Sequence, residues 1–135
     1  MADLSITATD VAPVQVVEQI TGPAGAAITQ GQVVYLVAAT GVFGLADQDE
    51  LAPLNHPAGV AITGANAANI TITAVRKGIL DLGDALSAFD YDAIVYLSGT
   101  PGGMSATDAG NTIVAGRVVP GWGATTADKL LRVDL

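Results

Sequence analysis

A single histidine would have to take part in any serine–histidine–aspartate relay in this chain. His56 lies in the segment Leu54-Asn55-His56-Pro57. No serine stands in a G-x-S-x-G turn, the setting that presents a serine as a nucleophile. One histidine and no cysteine also exclude a histidine- or cysteine-rich zinc site. We therefore expect His56 to be a loop or helix-capping residue.

Carboxylates are more abundant and form three short clusters. Asp47-Gln48-Asp49-Glu50 lacks the further oxygen ligands, the central glycine and the final glutamate of an EF-hand calcium loop. Acidic residues at a helix N-terminus are stabilised by the helix dipole, which accounts for this cluster without a metal. The other two clusters hold Asp81 with Asp84 and Asp90 with Asp92. A glycosidase-like pair there would work beside aromatic sugar platforms, but aromatic residues are only 4% of the chain. We expect solvated turn aspartates, with no catalytic, cofactor or metal site.

The charge balance restricts the partners of the protein. Lys and Arg number 5 and Asp and Glu number 13, which gives a net charge of −8, and Arg76-Lys77 is the only adjacent cationic pair. Binding to phosphates requires clustered cations, so neither nucleic acid nor an anionic membrane is an expected partner. Charged residues make up 13% of the chain, against roughly 25% in ordinary soluble domains. Either small residues (Ala, Gly and Thr) cover the surface or part of it is buried against another chain, and we expect both.

Short runs of β-forming residues separated by glycine and proline turns dominate the sequence. They predict one all-β domain over residues 1–135, a small β-sandwich, jelly roll or barrel-like fold. At most one short helix is expected, over residues 47–54, with Asp47 as its N-cap. Residues 1–13 are an edge strand or an N-terminal arm. The predicted strands include Leu4–Ala8, Val14–Ile20, Val33–Val37, Ile70–Val75, Ile94–Leu97, Ile113–Val119 and Leu130–Val133.

Membrane insertion and export are both disfavoured by composition. The uncharged stretch Gln19–Ala46 is long enough to span a bilayer, but it is interrupted by several glycines and a proline and suits strands and turns better. The start Met1-Ala2-Asp3 lacks the cationic and apolar regions of a signal peptide. We expect a protein made in the cytoplasm.

A weak internal repeat is visible, in which the order of segments is the same in both copies. A tyrosine-containing strand, a glycine turn, a glycine-flanked strand and a closing strand occur twice. The matched segments are Val33–Leu36 with Ile94–Leu97, Gly59–Gly64 with Gly116–Gly121, and Ile70–Val75 with Leu130–Val133.

The same patterns predict which side chains are buried and which lie at an interface. The expected core residues are Val34, Leu36, Ile72, Val95, Leu97 and Val118. Trp122 stands between two glycines, where it either packs over the end of the domain or anchors an interface. The segment before Pro13 either forms a strand of its own domain or adds to a neighbour's sheet. The candidate interface residues are Leu4, Ile6, Pro13 and Trp122.

One segment resembles a known family. Ala26–Leu36, with Gly31-Gln32-Val33-Val34-Tyr35-Leu36 at its end, resembles the opening of the decoration (cement) proteins of tailed-bacteriophage capsids. The strand Gly59–Ala61 and the turn Tyr96–Gly102 are similar to that family too, so the resemblance covers most of residues 25–120. These are turn and core residues, so the resemblance indicates the fold of the protein more than its function.

The resemblance implies a non-enzymatic structural protein of the virion. In that family, small β domains, commonly homotrimers, bind the outside of the mature head at threefold positions and lock neighbouring capsomers together. The implied partners are the major capsid protein and further copies of the chain, and the implied location is the capsid exterior. The alternative is a β-domain of a phage tail or fibre that binds a host surface. A small hydrolase or carbohydrate-active enzyme is a third reading, which the residue inventory disfavours.

Overall fold

The computed structural model describes residues 3–47, 49, 54–107, 113–121 and 129–135. Within these ranges nine β-strands form one antiparallel sheet, which curls strongly into a half-barrel. The strands are β1 Val11–Pro23, β2 Val33–Leu36, β3 Phe43–Leu45, β4 Gly59–Ala61, β5 Thr71–Leu82, β6 Ile94–Leu97, β7 Met104–Ser105, β8 Val114–Pro120 and β9 Lys129–Asp134. The only helical element in the same ranges is the 3-10 turn Ala8–Asp10. The prediction of a small all-β domain is confirmed.

Strand β5 organises the sheet because it pairs on both of its edges. One edge pairs with β1 from Thr71 to Leu82. The other edge pairs first with β4, at Ala74 and Val75, and then with β9, from Lys77 to Leu80. Two groups of strands therefore extend from the same edge of β5, in the order β3-β2-β4 and β7-β6-β8-β9.

These two groups are the two copies of the repeat seen in the sequence. The first unit consists of β2, β3, β4 and the first half of β5, and the second unit consists of β6, β7, β8 and β9. Tyr35 lies opposite Gly44 in the first unit, and Tyr96 lies opposite Ser105 in the second. The repeated valine and glycine also match, because Val34 pairs with Gly59 and Val95 pairs with Gly116. The units agree in strand order and in register.

A glycine is required at the same position of each unit. A Cβ on Gly59 would lie 2.9 Å from the Cβ of Ala74, and a Cβ on Gly116 would lie 2.4 Å from the carbonyl oxygen of Arg132. Real Cβ atoms are essentially never found closer than 3.0 Å to such a neighbour. The close approach of neighbouring strands therefore accounts for both glycines.

The main core lies between the two units. It joins one face of the first unit to one face of the second, and its members include Val33, Val60 and Val75 with Val95, Val118 and Leu131. A second cluster covers the opposite face of the first unit. There the strand residues Val34, Ala61 and Ala74 pack with Ala24, Ile28 and Ala65 of the surrounding loops. The first unit is thus buried on both of its faces.

Five of the six predicted core residues are fully buried, but the prediction for Leu36 was wrong. Leu36 is 37% exposed, whereas Leu97, its counterpart in the second unit, is 0% exposed. Leu36 is the last residue of β2, and the chain turns at once into a hairpin closed by the hydrogen bond from Val37 N–H to Val42 O. Leu97 instead faces the main core, beside the buried Met104.

Several strand predictions need correction. Residues 4–8 form no strand, because after Asp3 bridges to Ser105 the chain leads into the 3-10 turn. Strand β1 begins earlier than predicted and runs through Pro13, which an edge strand tolerates. Strand β3, strand β7 and the second half of β5 were not predicted. The predicted helix over 47–54 falls largely on residues 48 and 50–53, which lie outside the described residues.

The matched leucines give a direct test of this core. Leu97→Ala should lower the free energy of unfolding by roughly 2–5 kcal/mol, because it opens a cavity in the main core. Leu36→Ala should cost much less, since its side chain is already partly in water. Urea denaturation of both variants measures the difference, and equal losses would contradict the burial described here.

The repeated glycine can be tested in the same way. Gly116→Ala should lower the free energy of unfolding by roughly 1–3 kcal/mol, because the added methyl group forces strands β8 and β9 apart. Gly41→Asn is the matched control. A Cβ at Gly41 meets no atom within 4 Å, and asparagine tolerates its φ of 72°. If both variants melt like the wild type, the close approach at Gly116 is not a constraint on this fold.

Candidate interaction surface

The chemistry-bearing side chains do not converge on a reactive centre. His56 is exposed in the turn that precedes β4. Within the described ranges, no three histidine, aspartate or glutamate side chains come together as a metal-binding group. The described part of the chain also contains no helix that is long and apolar enough to cross a membrane.

The aspartates singled out from the sequence stabilise turns. Asp47 accepts the backbone N–H of Asp49 at 2.9 Å, and Asp81 accepts that of Gly83 at 2.8 Å. Asp92 has a positive φ of 64°, which aspartate adopts more readily than most residues, and its carboxylate lies 3.5 Å from Arg117. The first two contacts fix a local backbone conformation, whereas the Asp92 carboxylate lies in an exposed ion pair.

The N-terminal segment lies on its own domain. Leu4 and Ile6 are half-buried and pack against the main core. Asp3 accepts hydrogen bonds from the hydroxyls of Ser98, at 2.6 Å, and Thr100, at 2.7 Å. These bonds tether the start of the chain to the loop between β6 and β7. They also lower the pKa of the Asp3 carboxyl from its ordinary value of 3.8, because they stabilise the charged form.

Two interface candidates, Pro13 and Trp122, remain. Pro13 is exposed on β1, opposite Leu80 of β5. Trp122 lies outside the described residues.

Strand β1 is the most exposed strand of the sheet. Among the strands of the described ranges it pairs only with β5, and Val11 alone of its residues is buried. Val16 is 40% exposed and Val17 is 68% exposed. The register of β1 against β5 is interrupted three times, between Pro13 and Gln19. Bulges and prolines of this kind discourage a free edge from pairing with another strand, so β1 presents its side chains more readily than its backbone.

Beside β1, the second unit leaves one of its faces open among the described residues. We call this the open face and define it by a cross-strand row, in which Ile94 pairs with Arg117, Arg117 with Arg132, and Arg132 with Ile79. Val17 lies next to this row. It lines a depression of about 230 Å³ together with Lys77, Ile79, Arg132 and Asp134.

Comparison of the two units explains why this face is open. Ile94, Arg117 and Arg132 occupy the positions that Val33, Val60 and Val75 occupy in the first unit. The three valines are buried in the main core, whereas the arginine side chains are 43% and 55% exposed. The sequence interpretation missed this surface. Aligning Gly59–Gly64 with Gly116–Gly121 would have found part of it, since Val60 becomes Arg117, but the match of Val75 with Arg132 follows only from the strand register.

The cations of the chain gather on and around this face. All five lie on the neighbouring strands β5, β8 and β9. Lys129 is used internally, because its ammonium group donates to the carbonyl oxygens of Ser87 and Phe89 and lies over the ring of Tyr91. The other four form exposed ion pairs with distances from 3.5 to 3.9 Å, and Arg117 also donates from Nη1 to the backbone carbonyl oxygen of Asp92 at 3.0 Å. Exposed pairs of this length contribute little to stability, so their partners can be exchanged.

Neither protein-family models, nor curated proteins, nor solved structures match this chain. The functional interpretation therefore rests on the residues themselves. They offer the exposed edge strand β1, a row of exposed arginines and several shallow depressions. The second depression, of about 370 Å³, lies between Phe89, Ile94 and Tyr96.

The Asp3 tether predicts a specific acid sensitivity. Because the pKa of Asp3 is lower in the folded state, the tether stabilises the fold above the ordinary pKa of 3.8 and is lost as the pH falls through the lowered value. Asp3→Asn should reduce the free energy of unfolding at pH 7 by about 1 kcal/mol or less, since the carboxylate is exposed.

Thermal unfolding at pH 7 and at a series of pH values below 3.8 checks this expectation. The wild type and Asp3→Asn should differ at pH 7 and converge in acid. A difference that is the same at all of these pH values would show that the Asp3 charge does not hold the N-terminal segment.

Proposed function

We propose that this protein is a structural component of a tailed-phage head, which binds the outer capsid surface and stabilises the head by bridging capsomers. The observation that carries the proposal is the similarity of Gly31–Leu36 to the opening of capsid decoration proteins. In this chain Val33–Leu36 form strand β2, which contributes to both hydrophobic clusters. The resemblance therefore falls on residues that determine the fold.

The mechanical demands of this role suit the architecture. A protein that bridges capsomers must resist deformation when the shell is under internal pressure. Here the long strand β5 holds β1 and both units in one hydrogen-bonded sheet, so a force applied to one unit is carried to the other through backbone hydrogen bonds. A single rigid body transmits load between two capsid contacts better than two linked domains would.

Self-association is the second part of the proposal. The family resemblance indicates three copies per assembly, a homotrimer. Cyclic assembly repeats each capsid contact in every copy. Several weak contacts on one rigid particle then give a high overall affinity. This route suits a chain with few charged residues, an exposed edge strand and shallow depressions in place of a deep binding pocket.

Binding to purified capsids is the direct test. The protein should co-sediment with expanded capsids, saturate at a fixed number of copies per shell and raise the temperature at which the shells break. An unrelated β protein of similar size and acidity is the control for non-specific adhesion. Absence of saturable binding would exclude the proposal, and binding to host cells or glycans instead would favour a tail or fibre domain.

A further inference from the structure

We propose that the open face receives the acidic surface of a second copy of this chain, in a head-to-tail contact. The inference deepens the proposed function and rests on the self-association that it includes. Leu4 and Ile6 pack against the core of their own domain and are therefore not the proposed contact residues. The contact is instead placed on the row of Ile94, Arg117 and Arg132, with Val17 beside it.

The first argument comes from how each unit is covered. The first unit has the main core on one face and the second cluster, supplied by its own loops, on the other. The second unit has the main core on one face, while in the described part of the chain its other face keeps Val17, Arg117 and Arg132 in solvent. The two units share strand order and register. The uncovered face of the second unit is therefore the surface on which another chain can pack.

The second argument identifies the cover by charge. The chain carries a net charge of −8, and every one of its cations lies on β5, β8 or β9. Two copies repel each other in most orientations. On the open face Lys77, Arg117 and Arg132 form exposed ion pairs with Asp92 and Asp134, so this is the part of the surface where carboxylates of a second copy can compete for cations.

The third argument fixes the orientation. In a twofold contact whose axis passes through the row, Arg117 and Arg132 of one copy would face the same arginines of the other, and opposed like charges are costly. A head-to-tail contact instead brings the arginine row against carboxylates of the next copy. Asp10 and Asp84, which line one depression with Ser5 and Thr7, are exposed carboxylates of this kind. Head-to-tail contacts close into rings when the rotation between copies allows it.

Charge reversal at the open face tests the contact. Arg132→Glu should weaken association by about tenfold or more, as measured by sedimentation velocity over a concentration series. Arg132→Lys keeps the charge and should assemble. The matched control is the double variant A39E/T40E, which has the same net charge as Arg132→Glu but places it on an exposed loop between β2 and β3. Circular dichroism and melting temperature confirm that each variant is folded.

Two further measurements establish the nature of the contact. Raising the salt from about 0.1 to about 1 M, which shortens the Debye length from about 10 to about 3 Å, should weaken wild-type association. Arg132→Glu keeps its acidic surface, so in excess it should cap wild-type copies and give mixed dimers. Wild-type assembly without mixed dimers would mean a twofold contact and would overturn the proposal.

Capsid co-sedimentation separates this inference from the proposed function. Capsid binding by a protein that stays monomeric, or equal assembly of Arg132→Glu and wild type, rejects the contact and leaves the capsid role intact. Assembly that is lost in Arg132→Glu and kept in A39E/T40E supports the contact, even if the protein binds no capsid.

Discussion

The rest of the structure depends on the double pairing of strand β5. Its residues bond to β1 along one edge and to β4 and then β9 along the other, so three strands are placed by one. Because both units extend from the same edge of β5, they pack against each other around the main core within a single sheet. The register shifts between Pro13 and Gln19 accompany this change of partner, because bulges increase the local twist of a strand.

The two repeated units are attached to the same edge of β5, but they differ in which of their faces are buried. Val34, Ala61 and Ala74 face the second cluster, whereas their counterparts Val95, Val118 and Leu131 face the main core. The face that points away from the main core in the first unit therefore corresponds to the face that points into it in the second unit. One copy needs apolar residues on both faces, and the other needs them on one. The change from Val60 and Val75 to Arg117 and Arg132 follows from that difference in burial.

The sequence was informative where local patterns decide structure. Period-two runs located most strands, and the repeated tyrosine and glycine segments correctly predicted two units of equal order. Strand β3 and strand β7 were missed because Phe43–Leu45 and Met104–Ser105 are too short to show a period. The exposure of Leu36 depends on where the hairpin turns, and the open face depends on which face of each unit meets the core. Both are set by tertiary contacts that a local pattern does not contain.

The arginine row also shows how an acidic chain can keep a defined contact surface. A net charge of −8 opposes any assembly, and surface ion pairs add little to folding. Arg117 and Arg132 therefore gain little for the fold by standing in the row, where Asp92 and Asp134 pair with them at 3.5 and 3.8 Å. In the proposed self-contact their role is specificity, because long, exposed ion pairs can be exchanged for those of a partner without disturbing the sheet. A buried valine row in one unit thus stabilises the fold, whereas the matched arginine row in the other stays in solvent, where a partner can reach it.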